Sequence, residues 1–242
     1  MFTRSLRNII ATTLAALFVG GFFLHTGFLT NLYSRFSPQS GHSSPYMLED
    51  AGRPVGWNPC APIDYVINFA HAPAYARQDL SLAINTLEAA SGLKFVYTGS
   101  TDLVPDTNWS TIPRLHRRTW APLIIAFANP SATNMFTFGS SQIGAGGPAW
   151  VNSSHGKVDV SGAIVIDDRA RFIPGFGPGL SLGTLLLHEL GHVVGLAEGT
   201  DPASFTYKYL GITTQAVTRT DIAHLRALTS GGCRPAPQPA WA

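Results

Sequence analysis

The residues of this chain best spaced for chemistry lie in one pentapeptide, His188-Glu189-Leu190-Gly191-His192. On an α-helix positions i and i+4 share a face, so His188 and His192 can hold one metal ion while Glu189 addresses a water beside it. Neutral imidazoles bind zinc at about 2.0–2.1 Å, a third protein ligand completes the support, and an open position admits water. Zinc lowers the pKa of that water toward about 7, and a neighbouring carboxylate can take its proton during attack on a carbonyl. Glu189 is the candidate base, and it would pass the proton to a leaving amine. The pattern reads as a zinc hydrolase with Zn2+ as cofactor. A purely structural helix would have to explain two imidazoles and a carboxylate side by side among leucines and valines, where polar groups are costly to bury.

The elements that must position these residues are legible around them. Ser181 or Thr184 can cap the helix, Leu185, Leu186 and Leu187 drive it into the interior, and Gly195 lets the chain turn away. Upstream, Tyr65-Val66-Ile67-Asn68-Phe69 is strand-prone, and Leu80, Ile84 and Leu87 recur at helical spacing within residues 76–90, which Ser91-Gly92 ends. Leu93-Lys94-Phe95-Val96-Tyr97 alternates as a second strand, Leu123-Ile124-Ile125-Ala126-Phe127 is apolar enough for a central one, and residues 158–166 make another. The glycine-rich residues 139–148 read as a loop. Thr218 and Asp221 have the spacing of a capping box, with Asp replacing the usual Glu, ahead of the Ile222-Leu225-Leu228 stripe of a last helix.

Composition bounds what surrounds this machinery. A chain of 242 residues, 45% hydrophobic and 12% charged, can bury one substantial core. A net charge of +2 with scattered Lys and Arg excludes a nucleic-acid-binding surface as the leading reading. Arg4 and Arg7 precede residues 9–29, which contain no Asp, Glu, Lys or Arg. About 20 such residues can span a bilayer, so residues 1–33 read as a signal anchor, or alternatively a signal peptide of a secreted protein. The positive-inside rule then places the remainder outside the cytoplasm. Residues 34–55 read as a stalk or linker, 56–233 as the catalytic domain, and 234–242 as a proline-rich tail. Cys60 and Cys233, the only cysteines, flank that domain and can pair in an oxidising compartment.

The run His188-Glu189-Leu190-Gly191-His192-Val193-Val194-Gly195-Leu196 resembles the metzincin metallopeptidases, whose HExxHxxGxxH pattern adds a glycine turn and a third ligand. Trp57-Asn58-Pro59-Cys60, Pro62-Ile63-Asp64-Tyr65, Leu123-Ile124-Ile125-Ala126-Phe127, Gly146-Gly147-Pro148-Ala149-Trp150-Val151 and Gly232-Cys233 look like exported matrixin-like peptidase domains of actinobacteria. The resemblance covers roughly residues 57–233. It implies an α+β, α/β/α-like fold: a twisted mixed sheet with flanking helices, the active-site helix lying beneath a substrate groove. It also implies peptide or protein substrates, and a monomer is expected.

Two departures alter that implication. The family's third histidine falls on Glu198, and its Met-turn methionine falls near Thr206; no methionine follows Met135. A His₂Glu zinc set is chemically ordinary, so Glu198 is the third ligand by register, with Asp201 the competing carboxylate. His224 is a weaker candidate. Tyr207 stands where related loops carry a tyrosine and is a candidate for stabilising the transition state. His42, His71, His116 and His155 read as isolated surface residues, His116-Arg117-Arg118 as a solvated loop, and the sequons at Asn108 and Asn152 as relevant only in a glycosylating host. Against a membrane-anchored or exported peptidase stands an inactive descendant that uses the scaffold to bind a partner at the cell surface.

Overall fold

The computed structural model describes residues 44–107, 120–137, 141–211 and 215–237. In chain order the strands are β1 (Glu49–Asp50), β2 (Arg53–Pro54), β3 (Ile63–Asn68), β4 (Phe95–Ser100), β5 (Leu123–Ala128), β6 (Gly144–Ser153) and β7 (Gly156–Asp167). Among the described residues the α-helices are α1 (Ala76–Ser91), α2 (Leu182–Val193) and α3 (Arg219–Thr229). Residues 9–29 with Arg4 and Arg7, His42, Asn108 and His116-Arg117-Arg118 lie outside the described residues. No helix among the described residues is long and apolar enough to cross a membrane.

Five strands form one sheet in the order β4-β3-β5-β7-β6. The first four run parallel, and β6 closes the sheet antiparallel to β7. Parallel neighbours need a crossover, which α1 supplies between β3 and β4. All six residues of β5 are buried, the expected state of an uninterrupted apolar strand at the centre of such a sheet. Alternate residues Leu123, Ile125 and Phe127 of β5, with Ile164 and Ile166 of β7, join Leu80, Leu87, Leu185 and Leu186 of the helices in one core. The fold is α+β with a mixed sheet.

The helices follow their spacing. Leu80, Ile84 and Leu87 are the buried stripe of α1, and full burial of each such side chain stabilises by about 1.5–3 kcal/mol. Gly92 ends α1 at φ 79°, its N–H donating to the Glu88 carbonyl, a left-handed cap that favours glycine. All twelve residues of α2 are buried, as expected of a mostly apolar helix. It starts at Leu182 after Ser181, which places Thr184 within the first turn rather than at the cap. The Ser181 hydroxyl lies within hydrogen-bond distance of the Gly177 carbonyl and of Thr184 Oγ1 instead of capping the helix backbone.

The stretch 139–148 is not a loop throughout: from Gly144 it is strand, paired with β7 from Gly144 opposite Ile166 to Pro148 opposite Gly162. Glycine and proline disfavour strands locally, but pairing with a long apolar neighbour overrides that preference, and an edge strand tolerates Pro148. Residues 45–55, taken from composition as the end of a linker, lie on the folded body. β1 and β2 form a hairpin there, and Val55 is buried.

Cys60 and Cys233 form a disulfide with Cα atoms 5.3 Å apart, across 173 residues of sequence. Both half-cystines are exposed, so a reductant reaches them without unfolding. Reduction, or the double substitution Cys60→Ser/Cys233→Ser, is expected to lower stability by roughly 2–5 kcal/mol, since a loop this long carries a large closure entropy. Denaturant titration with and without reductant measures this, and coincident curves would refute it.

Candidate metal centre

The site is set by where α2 ends and what meets it there. The indole N–H of Trp57 donates to the Val193 carbonyl at 2.7 Å, satisfying one of the orphan acceptors of the last turn. Gly195 then takes φ 111°, and a Cβ there would lie 2.9 Å from the Val55 carbonyl oxygen. Glycine is therefore required both by conformation and by crowding. The outgoing chain pairs with the N-terminal segment: Met47 N–H donates to Gly195 O, Ala197 N–H donates to Pro45 O, and Tyr46 bridges Leu196. On the other side of Glu198, Gly199 N–H donates to Thr206 O at 2.8 Å. Glu198 is thus anchored by backbone bonds at both neighbours.

His188 and His192 are 5% and 7% exposed. His188 Nδ1 lies 3.0 Å from Phe205 O and His192 Nδ1 lies 2.8 Å from Leu196 O. A carbonyl only accepts, so both Nδ1 atoms carry the hydrogen and both Nε2 lone pairs are left free in the neutral rings. These lone pairs face each other, Nε2 to Nε2, at 3.0 Å. The Glu198 carboxylate approaches the pair, Oε1 at 3.7 Å from His192 Nε2 and Oε2 at 3.9 Å from His188 Nε2. Its Oε2 is buried with no hydrogen-bond partner.

This donor set could hold a metal ion. Two imidazole nitrogens on one tetrahedral zinc lie roughly 3.3 Å apart, near the observed separation. Ligand atoms of His188, His192 and Glu198 all fall within 4.8 Å of one another. Two facing lone pairs and an orphaned carboxylate oxygen repel unless a cation or proton lies among them. The electrostatics agree: burial, and then the charge of His192, pull His188 down to about 4. Burial would lower His192 as well, but Glu198 and Glu189 lift it to about 9. Burial likewise opposes ionisation of Glu198, yet His192, His188 and Lys208 hold it below its ordinary value.

Comparison with protein-family models and with curated proteins gives no match. What the site can do therefore rests on its own chemistry.

Glu189 is 4% exposed and sits one residue after the first histidine. Burial pushes its carboxyl up to about 7, with His192 opposing and Glu198 reinforcing the shift. Its space is made by the edge strand. A Cβ on Gly144 would lie 2.5 Å from Glu189 Oε1 and 3.0 Å from Leu185 Cδ1, and one on Gly146 would lie 3.0 Å from Oε2. The two glycines, both on the same face of β6, let the strand backbone approach the carboxylate.

The remaining candidates separate clearly. Asp201 is exposed, and its Oδ1 accepts the Ala203 N–H in a local turn; Glu198, not Asp201, completes the cluster. His224 packs edge-on against Tyr46, ring centroids 5.9 Å apart. His71 forms a 3.9 Å pair with Asp168, and His155 is exposed on the β6–β7 turn. Tyr207 is half-buried, edge-on to Tyr209 at 5.7 Å. Sequence reasoning missed the carbonyls of Phe205 and Leu196, because backbone partners leave no trace in residue type. It also missed the role of Gly144 and Gly146, whose i, i+2 spacing was the available signal.

Gly144→Ala is expected to destabilise by about 1–3 kcal/mol, the usual range for overpacking a filled interior. A denaturation midpoint equal to wild type would show that the Glu189 carboxylate has room to retreat.

Proposed function

We propose that the chain is a zinc-dependent peptidase of the metzincin kind, held outside the cytoplasmic membrane by its N-terminal segment. The observation that carries this reading is the convergence of His188, His192 and Glu198 beside the buried carboxylate of Glu189. Further support comes from the glycine turn at Gly195, from a single antiparallel edge strand packed against the histidine helix, and from the disulfide, a bond that persists in oxidising compartments.

His188 Nε2, His192 Nε2 and a Glu198 oxygen would hold the ion. Zinc bound there supplies Lewis acidity, polarising a carbonyl oxygen and lowering the pKa of a water. The protein's own groups do the rest. Phe205 and Leu196 carbonyls keep both imidazoles in the tautomer whose Nε2 is a ligand atom. Glu189 takes a proton at its carboxylate as the water attacks and delivers it to the nitrogen of the departing amine. β6, at the edge of the sheet, offers backbone groups to an extended peptide, the pairing by which an edge strand can orient a substrate for a neighbouring catalytic group. Tyr207, on the loop after Glu198, is the candidate for steadying charge on the attacked carbonyl oxygen. The substrate class is therefore peptide or protein, acted on by a monomer.

The full-length chain is expected to copurify with about one zinc per molecule, the loading of a single three-ligand catalytic site, by elemental analysis. Glu198→Ala should lose the metal and Asp201→Ala should keep it; the reverse result would transfer the third ligand to Asp201. Glu189→Ala should retain zinc while peptide hydrolysis falls by roughly 10²–10⁴-fold, the usual contribution of a general base. Undiminished hydrolysis by that variant would remove Glu189 from the mechanism, and a well-folded wild-type chain free of zinc would remove the proposal itself.

A further inference from the structure

The loop that follows Glu198 has no methionine beneath the histidines, yet it is held. Phe205, fully buried, lies close against α2: a Cβ on Gly191 would stand 2.6 Å from its Cε2. Its carbonyl receives the His188 Nδ1–H, and the next carbonyl, of Thr206, receives the N–H of Gly199. Both bonds to the candidate ligands' surroundings therefore come from one dipeptide.

That dipeptide is gripped from below by hydroxyls. Ser204 Oγ donates to Asp221 Oδ1 at 2.7 Å, and its single hydrogen is thereby used. The 3.0 Å contact between Ser204 Oγ and Thr206 Oγ1 must then be donated by Thr206. The Thr206 N–H also donates to Ser204 Oγ, at 3.2 Å. The other oxygen of Asp221 accepts the N–H and the hydroxyl of Thr218, closing the capping box of α3. Ser204, Thr206 and Asp221 are all buried. This accounts for Asp where a capping box ordinarily has Glu or Gln: one carboxylate oxygen serves the helix cap and the other serves the loop.

We propose that Ser204 and Asp221 are positioning residues of the metal centre, the relay Thr206–Ser204–Asp221 pinning the loop to the first turn of α3. The relay sets the Phe205 carbonyl on His188 and the backbone behind Glu198. A fully satisfied buried network specifies one geometry, and removing a member leaves its partner unpaired. The proposal rests on the reading of His188, His192 and Glu198 as metal ligands, and its test has an arm that needs no metal.

The full-length chain and its variants are compared by zinc affinity against a competing chelator, by the melting temperature of the metal-free protein, and by the imidazole Nδ1–H resonance of His188 with labelled histidine. Ser204→Ala and Thr206→Val should weaken zinc binding by about 10–100-fold, the range found when a ligand loses its supporting hydrogen bond. In the metal-free chain both should shift or broaden the His188 resonance, and Thr206→Ser should restore wild-type behaviour. Thr218→Ala, which weakens the α3 cap but leaves Ser204 on Asp221, should lower the melting temperature while zinc affinity stays within about threefold, since a cap acts on helix stability. Wild-type affinity and resonance in both Ser204→Ala and Thr206→Val would overturn the proposal, as would a Thr218→Ala variant losing affinity in step with its melting temperature. Should Ser204→Ala fail to fold, Thr206→Val against Thr206→Ser decides. A wild-type chain that takes up no zinc defeats the metal reading alone. The resonance then decides the positioning: unchanged in the variants it overturns the relay, altered it supports it.

Discussion

Two imidazole Nε2 atoms pointed at each other across 3.0 Å inside a buried helix are the constraint on which the candidate site turns. Neither ring can rotate away without breaking the bond from its Nδ1 to a backbone carbonyl. The arrangement is unfavourable for the bare neutral rings and becomes favourable with a positive charge between them. Everything near it serves that geometry. α2 is buried throughout so that the rings cannot be solvated individually, Trp57 and Gly195 fix where the helix stops, and Glu198 brings a carboxylate to the positive charge.

The order of the sheet explains how the buried carboxylate of Glu189 can share this space. α1 and β7 pack against α2, while the antiparallel β6 reaches the flank of the helix with glycines at 144 and 146 instead of side chains. Glu189 occupies the space that side chains at 144 and 146 would otherwise fill. One face of α2 thus carries His188 and His192, and the neighbouring position, Glu189, addresses the edge strand β6. The juxtaposition follows from the 3.6-residue period of the helix and the two-residue period of the strand.

Much of this was readable from residue types and spacing. Histidines four apart, a leucine-rich flank and a glycine where the helix must stop follow from side-chain chemistry, and Glu198 stands where the metzincin resemblance puts a third ligand. Strand β5 was plain because six consecutive apolar residues have few other fates. The strand character of residues 144–148 was hidden, since glycine and proline there reflect what they must leave room for, not a local preference. The choice of Glu198 over Asp201 depended on the path of the chain, which is set by Pro45, Met47 and Thr206 through backbone bonds invisible in sequence. Asp221 read as a helix cap and is one. Its second bond, to Ser204, joins residues seventeen apart and has no signature in either.

The pairing of residues 45–47 with residues 195–197 changes what counts as the edge of this domain. Composition would place the boundary near residue 56, and a fragment begun there would retain the five strands of the main sheet, the three described helices, both cysteines and the whole HExxH segment. It would nonetheless lack the donor at Met47 and the acceptor at Pro45 that hold the chain between His192 and Glu198. Such a fragment would present Glu198 without the bonds that hold the chain before it. The backbone bonds that organise the site begin at residue 45, ahead of the boundary that composition suggests.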